Sequence, residues 1–433
     1  MASFENPAAP GSAPPRPEPR RQWLVYSALL LAPIGFLSVR HSIEAAVFLL
    51  TMLAAFDLAK NPVDYRLALG EPGIKTLLLA FAALFLATAV TQAIRLQLYW
   101  PAFDGPSRIL LAALVFLFLR TRTVAFARIL ELGLPLGLLA VYLAIRLYPD
   151  TSAAWGGRFA TRFVDPNSLG SQSLILTMLC LFSIRLPGKE APWLLLLKIV
   201  GIAAGITVAI HAESRGGWLA IPPLLALWLV LYFSGSNERR AWLFPVVLLA
   251  IAVLAMVLGY EYSPIIAERI NLAHRDIGDW FSGRNLDSAV GIRLSMWKIS
   301  LFLAQGSPWF GYGEIDLKPL LAGSPFAVPA YRSAIDLLGS AGPHSDALAK
   351  LLTMGVIGLS AFIATLAIPW TYFWRRRRDA RPVARAASHL GLYFVTGVFV
   401  CGLANELLSL KYLCSFYGLM IAGLGSDIAK RSR

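Results

Sequence analysis

The chain has 433 residues, 57% of them hydrophobic and 15% charged, with a mean hydropathy of +0.63. That balance excludes a soluble single-core domain, in which roughly a quarter of residues are charged. The formal charge of +14 does not indicate nucleic-acid binding, because the lysines and arginines gather mostly in alternate short loops, on one side of the apolar stretches, as they do in membrane proteins.

Residues 1–21, rich in Pro and Ala, read as a disordered cytoplasmic tail; the first apolar stretch leads into further spans and is an anchor, not a cleaved leader. Stretches able to cross roughly 30 Å of hydrocarbon follow at 22–39, 43–59, 74–93, 107–120, 124–146, 168–184, 191–211, 216–233 and 242–260. Three more lie at 345–374, 388–405 and 407–426, of which the first is long enough to tilt or protrude. The expected fold is therefore all-α: a polytopic integral membrane protein of about twelve helices. Its organisation is spans one to nine over 22–260, a periplasmic loop with short helices over 261–343, spans ten to twelve over 344–426, and a cytoplasmic tail at 427–433. Matching halves of the kind many transporters carry are not found.

Alternating the loops sets the orientation. One assignment gathers Arg16, Arg20, Arg21, Lys60, Arg66, Arg120, Arg122, Arg185, Lys189, Arg239, Arg240, the run Arg375 to Arg378, and Lys430, Arg431 and Arg433 on the cytoplasmic side. Both termini are then inside and the 261–343 loop is outside. Cys180, Cys401 and Cys414 fall inside spans without metal spacing and read as apolar filler. No Asp-x-Asp pair is present, Glu314-Ile-Asp316 is the nearest acidic pair, and no Walker-type loop occurs, so neither a metal nor a nucleotide cofactor is expected.

Three polar clusters fall on the outer side of this topology. His211-Ala-Glu213-Ser214-Arg215-Gly216-Gly217 is a tight turn that holds Arg215 at headgroup depth. A guanidinium there can grip phosphate oxygens bidentately or snorkel as a helix terminator, and the two glycines would let a ligand approach the backbone. Gly291-Ile-Arg293-Leu-Ser-Met-Trp297 precedes Pro308-Trp-Phe-Gly311-Tyr-Gly313, which reads as a turn returning the chain to the membrane. Arg293 and Trp297 share a helical face, which suits a phosphate and a sugar face, or simply a cation–π contact on a surface helix. Gly342-Pro343-His344-Ser345-Asp346 opens the long tenth span. A helix start disfavours imidazolium, leaving His344 neutral and available as a general base, or as a plain boundary residue; Asp346 reads as a first-turn acid. The loop as a whole is charge-balanced, so anion binding would rest on single arginines: Arg215 and Arg293 first, with Arg158, Arg162 and Arg284 in reserve.

These residues resemble the O-antigen ligase family, within the larger group that also holds O-antigen polymerases and protein O-oligosaccharyltransferases. The resemblance rests on Ser214-Arg215-Gly216, on Arg293 and Trp297 before Pro308, Gly311 and Gly313, and on His344-Ser345 followed by Gly355 and Gly358. The last two glycines also read simply as small residues that permit close helix packing. The resemblance implies transfer of a preassembled polysaccharide from undecaprenyl pyrophosphate to a lipid A-core sugar at the periplasmic leaflet of the inner membrane, among membrane lipids. In that scheme Arg215 and Arg293 bind the pyrophosphate and His344 is the base of an inverting, metal-independent transfer. A polymerase would need much the same arginines, and a protein O-oligosaccharyltransferase differs in its acceptor. A secondary transporter would instead use Glu44, Glu131, Lys198 and Lys350 as intramembrane ionisable groups.

Overall fold

The computed structural model describes residues 19–184, 190–235, 250, 253–254, 257–314 and 317–430. Its helices are α1 (Pro19–Gly35), α2 (Ser42–Lys60), α3 (Pro62–Leu69), α4 (Pro72–Arg95), α5 (Asp104–Arg120), α6 (Phe126–Leu147), α7 (Asp150–Ala153), α8 (Pro166–Phe182), α9 (Pro192–His211), α10 (Arg215–Trp218) and α11 (Ile221–Gly235). After these come α12 (Pro264–Phe281), α13 (Ala289–Ala304), α14 (Lys318–Ala322), α15 (Arg332–Ala341), α16 (Asp346–Arg376), α17 (Pro382–Leu403) and α18 (Lys411–Ala429). Among the described residues nine helices are long and apolar enough to cross a membrane, Gln22–Gly35 is a shorter apolar helix, and no strand occurs. The chain is thus an all-α, multi-pass membrane protein. Most of the expected ninth span, 242–260, and most of the N-terminal tail lie outside the described residues.

Several boundaries move for identifiable reasons. The first span ends at Gly35 and not at position 39, because Ser38 and Val39 fold back to hydrogen-bond the Gly35 carbonyl. The fourth is longer than expected, because a 3₁₀ turn over Trp100–Phe103 runs into α5 and extends the span to 21 residues. The tail expected from 427 is helical to Ala429, and Asp427 is buried: its carboxylate accepts from the backbone of Phe126 and Ala127 at 3.1 and 2.8 Å. That acid caps α6 across the bundle and meets N–H groups that a helix cannot satisfy itself.

Burial identifies the centre. In α18, 89% of the spanning window is buried, although its hydropathy is the lowest of the nine. Small residues explain this: Gly418 faces Ala112 of α5 and Gly423 faces the Phe126 ring, so neighbouring backbones close on α18. Around it α5, α17, α2 and α6 pack directly, and α16 runs between α4 and α17.

The long α16 is broken. Gly355 has φ 64°, and the segment 308–313 lies along the break. Tyr312 N and Gly313 N donate to the carbonyls of Leu352 and Thr353 at 2.7 and 2.9 Å, and Val356 N donates to Pro308 O at 2.8 Å. The Arg95 guanidinium, at the end of α4, ties the carbonyls of Phe310 and Thr353 together. Gly355 is therefore required by its backbone conformation and by the approach of Trp309, whose carbonyl carbon would lie 2.3 Å from an added Cβ. The segment expected as a turn returning the chain to the membrane is this strip, packed along the broken helix, with α14 and α15 following before α16 begins. Beside it, 289–314 and 317–341 contribute to a smaller core in which Met296, Ile299, Leu303, Leu321, Ala334 and Leu338 pack against Leu352.

The two ends of the bundle differ. Arg120, Arg122, Arg381 and Lys430 meet at one end through Glu71, Asp57, the Ile428 carbonyl and the Val124 carbonyl. The residue clusters at 211–217, 291–297 and 342–346 lie at the other, since α16 runs from Asp346 to Arg376.

Candidate functional site

The Ser-Arg-Gly turn is built from below. Ser214 is buried and its hydroxyl donates to Asn167 O at 3.0 Å, beside the hydroxyl of Ser171 at 3.2 Å, which also accepts from Asn405 Nδ2 at 3.1 Å. Gly216 and Gly217 are buried against Ala404, Asn405 and Ser171, where an added Cβ would lie 3.0 Å from its neighbours. The glycines therefore serve helix packing, correcting the expectation that they open the backbone to a ligand. Arg158 holds the same turn from outside: Nε and Nη2 donate to Ala212 O at 3.1 and 2.9 Å, and Nη2 donates to Asn167 Oδ1 at 2.8 Å. Its side chain is committed to the turn.

From this base Arg215 points toward α12, where Nη1 meets Asp276 Oδ2 at 3.1 Å, and Arg269 of the same helix pairs with Glu213. Arg293, from the second turn of α13, comes into the same field. Burial lowers its pKa first, and the nearby cations Arg215 and Arg158 lower it further. Among the described residues its guanidinium has neither a hydrogen bond nor an ion pair. Cations gathered this closely, one of them without a counter-charge, are the arrangement that binds an anion.

His344 faces this group. Burial holds its imidazole below the ordinary range, Arg293 presses it lower, and Asp165 opposes both. Burial and a cation thus act on an imidazole that stands two residues before the start of α16. Its backbone is left-handed, φ 50°, and its N–H donates to Glu406 Oε1 at 2.9 Å. One residue earlier the Pro343 carbonyl accepts from Trp297 Nε1 at 3.1 Å. Trp297 thus spends its indole N–H on the backbone that leads into His344. Asp346 is fully buried and does not cap its own helix; its carboxylate accepts from Leu407 N and Leu408 N at 3.1 and 2.9 Å.

Arg293 lies within electrostatic reach of Arg215, Arg158 and His344. Arg162 and Arg284 are exposed and engaged elsewhere: Arg162 stacks on Tyr148 at 3.8 Å, while Arg284 bonds Asp279 at 3.0 Å and Ser282 at 2.9 Å. Residue-type reasoning missed Asp276, Arg269, Asp165, Asn405 and Glu406, none of which sits in a recognisable motif. Among the described residues no group of three His, Cys, Asp or Glu is placed to hold a metal ion; Ile315 and Asp316 of the acidic pair fall outside them. Of the residues a transporter would use, Lys198 is buried in an ion pair with Glu190 and donates to Ser183 O at 3.0 Å, and Glu44 lies 3.7 Å from Arg108.

The chain is 25% identical over 307 residues to an uncharacterized protein of Haemophilus influenzae, a match spanning 68% of this chain and 72% of that one. Residues 200–363 match the family model described as O-antigen ligase, and that stretch contains Arg215, Arg293, Trp297 and His344. The chain is thus a multi-pass membrane protein in which the segment that carries Arg215, Arg293 and His344 matches the O-antigen ligase family.

Proposed function

We propose that this protein is an O-antigen ligase that moves a preassembled glycan from undecaprenyl pyrophosphate to the lipid A-core at the periplasmic face of the bacterial inner membrane. The observation that carries the reading is the Arg293 guanidinium, without an ion-pair partner among the described residues, within electrostatic reach of Arg215 and of His344, whose imidazole burial and Arg293 hold below the ordinary range. An anion of more than one charge is what two adjacent guanidinium groups select, and a neutral imidazole next to it accepts a proton without competing for that anion.

The chemistry follows from those roles. The acceptor hydroxyl gives its proton to His344 as its oxygen bonds the anomeric carbon of the donor. The bond from that carbon to the phosphate oxygen breaks, and its electron pair leaves with the pyrophosphate, where Arg215 and Arg293 stabilise the growing charge. Attack opposite the leaving group inverts the anomeric centre. Asp276 holds Arg215 until the donor arrives and must be exchanged for a phosphate oxygen. Pyrophosphate leaves readily, so the step does not call for a metal or for ATP.

The test is lipopolysaccharide gel profiling in a ligase-deficient Gram-negative host supplying the matched glycan. Wild type should restore the long-chain ladder, and His344→Ala and Arg293→Ala at equal membrane abundance should not. A lengthened lipid-linked glycan without transfer to the core would make the protein a polymerase instead.

A further inference from the structure

The base of this reaction is held in an unfavourable backbone conformation, and its neighbours show what holds it. We propose that Glu406, in the loop between α17 and α18, is a positioning residue that fixes the left-handed backbone of His344 through its amide and so aims the imidazole at the acceptor hydroxyl. The proposal rests on the ligase reading of His344.

Six contacts support it. Glu406 Oε1 accepts the His344 N–H at 2.9 Å, and a left-handed backbone at a residue with a Cβ persists only where its surroundings dictate it. Gly342, φ 76°, leaves the space the carboxylate occupies: a Cβ there would lie 2.4 Å from Glu406 Oε1. The flanking residues are laced together, with Asp346 N donating to Asn405 O at 3.2 Å while the Asp346 carboxylate caps Leu407 and Leu408. Trp297 closes the third side through the Pro343 carbonyl. Glu406 is the member of this lacing that touches His344 itself. Burial raises its carboxyl to about 7, yet its carbonyl oxygen accepts the amide in either protonation state, so the contact calls for an acceptor of this length and not for a charge.

The experiment compares kcat and donor KM of the purified full-length protein, given lipid-linked glycan and lipid A-core, for wild type, Glu406→Leu, Glu406→Gln, Gly342→Ala and His344→Ala. Displacing a catalytic group by a fraction of an ångström removes rate and not affinity, so Glu406→Leu should lose about tenfold or more in kcat with donor KM nearly unchanged. Glu406→Gln, which keeps an acceptor oxygen, should recover most of that loss, and Gly342→Ala should reproduce it. Should Glu406→Leu fail to accumulate, the Gln and Gly342→Ala pair still decides. Wild-type kcat in Gly342→Ala, equal damage by Leu and Gln, or a change confined to donor KM would each overturn the positioning role. Full activity in His344→Ala would instead remove the general-base reading on which the role depends.

Discussion

Burial and Arg293 outweigh the opposing Asp165 at His344, and the balance gives its reaction a pH signature. Burial and Arg293 both disfavour the imidazolium, so its pKa lies below the ordinary imidazole value. The base form then survives to lower pH, and kcat/KM should fall only as pH drops through that depressed value. Replacing Arg293 with Gln removes the cation and leaves the burial, so the acidic limb of kcat/KM should move up toward the ordinary range while the overall rate falls. A pH–rate profile on both proteins checks this; an unmoved limb would mean that Arg293 does not act on the base. At this scale the residue types in the three clusters were legible, but their partners were not. Trp297 read as a surface for sugar, and only the approach of Pro343 from 46 residues away turns its N–H inward.

At the scale of elements, the break in α16 and the surface helix α12 carry separate consequences. Gly355→Ala would put a Cβ on a backbone at φ 64° and 2.3 Å from Trp309. The strain alone costs about 1–3 kcal/mol, so thermal denaturation in detergent should show a clear loss of stability. Sequence spacing assigned Gly355 to close helix packing, because a helix of 31 residues does not announce where a distant segment will cross it. Helix α12 has no buried residue, yet it delivers Asp276 to Arg215 and Arg269 to Glu213. If the donor must displace Asp276, Asp276→Asn should lower the donor KM by about two- to fivefold, the range of a modest ion pair, with kcat maintained; a raised KM would show that the pair builds the site instead of guarding it.

For the whole molecule, the separation of charge between the two ends makes orientation testable. Arg120, Arg122, Arg381 and Lys430 share one end, and the residues that converge on His344 share the other. The three native cysteines are free and buried, so they leave a clean background for labelling. Ser282→Cys, on the exposed turn after α12, should react with an impermeant maleimide added to whole cells whose outer membrane is permeabilised. Ala380→Cys, on the exposed turn between α16 and α17, should react only after lysis. Labelling of Ala380→Cys from outside, or protection of Ser282→Cys, would invert the proposed orientation.

Composition and the spacing of apolar runs determined by themselves that this chain is an all-α membrane protein, because a bilayer leaves a polar backbone few other solutions and span length follows from its thickness. The residue types at Arg215, Arg293 and His344 were equally local, since each stands in a short motif at a span boundary or in the long loop before α16. What the tertiary structure decided is which of them meet and what constrains them. The packing of α10, α13 and the start of α16 brings Arg293 within electrostatic reach of His344 with no ion-pair partner among the described residues, while Arg158 is tied to the 212–215 turn and Arg162 and Arg284 to surface partners. The contacts of Glu406 with His344 and of Asp346 with Leu407 join residues 62 and 61 apart in the chain. No periodicity encodes such pairs: they arise from how α16 and α17 pack, which depends on the shapes of many side chains together.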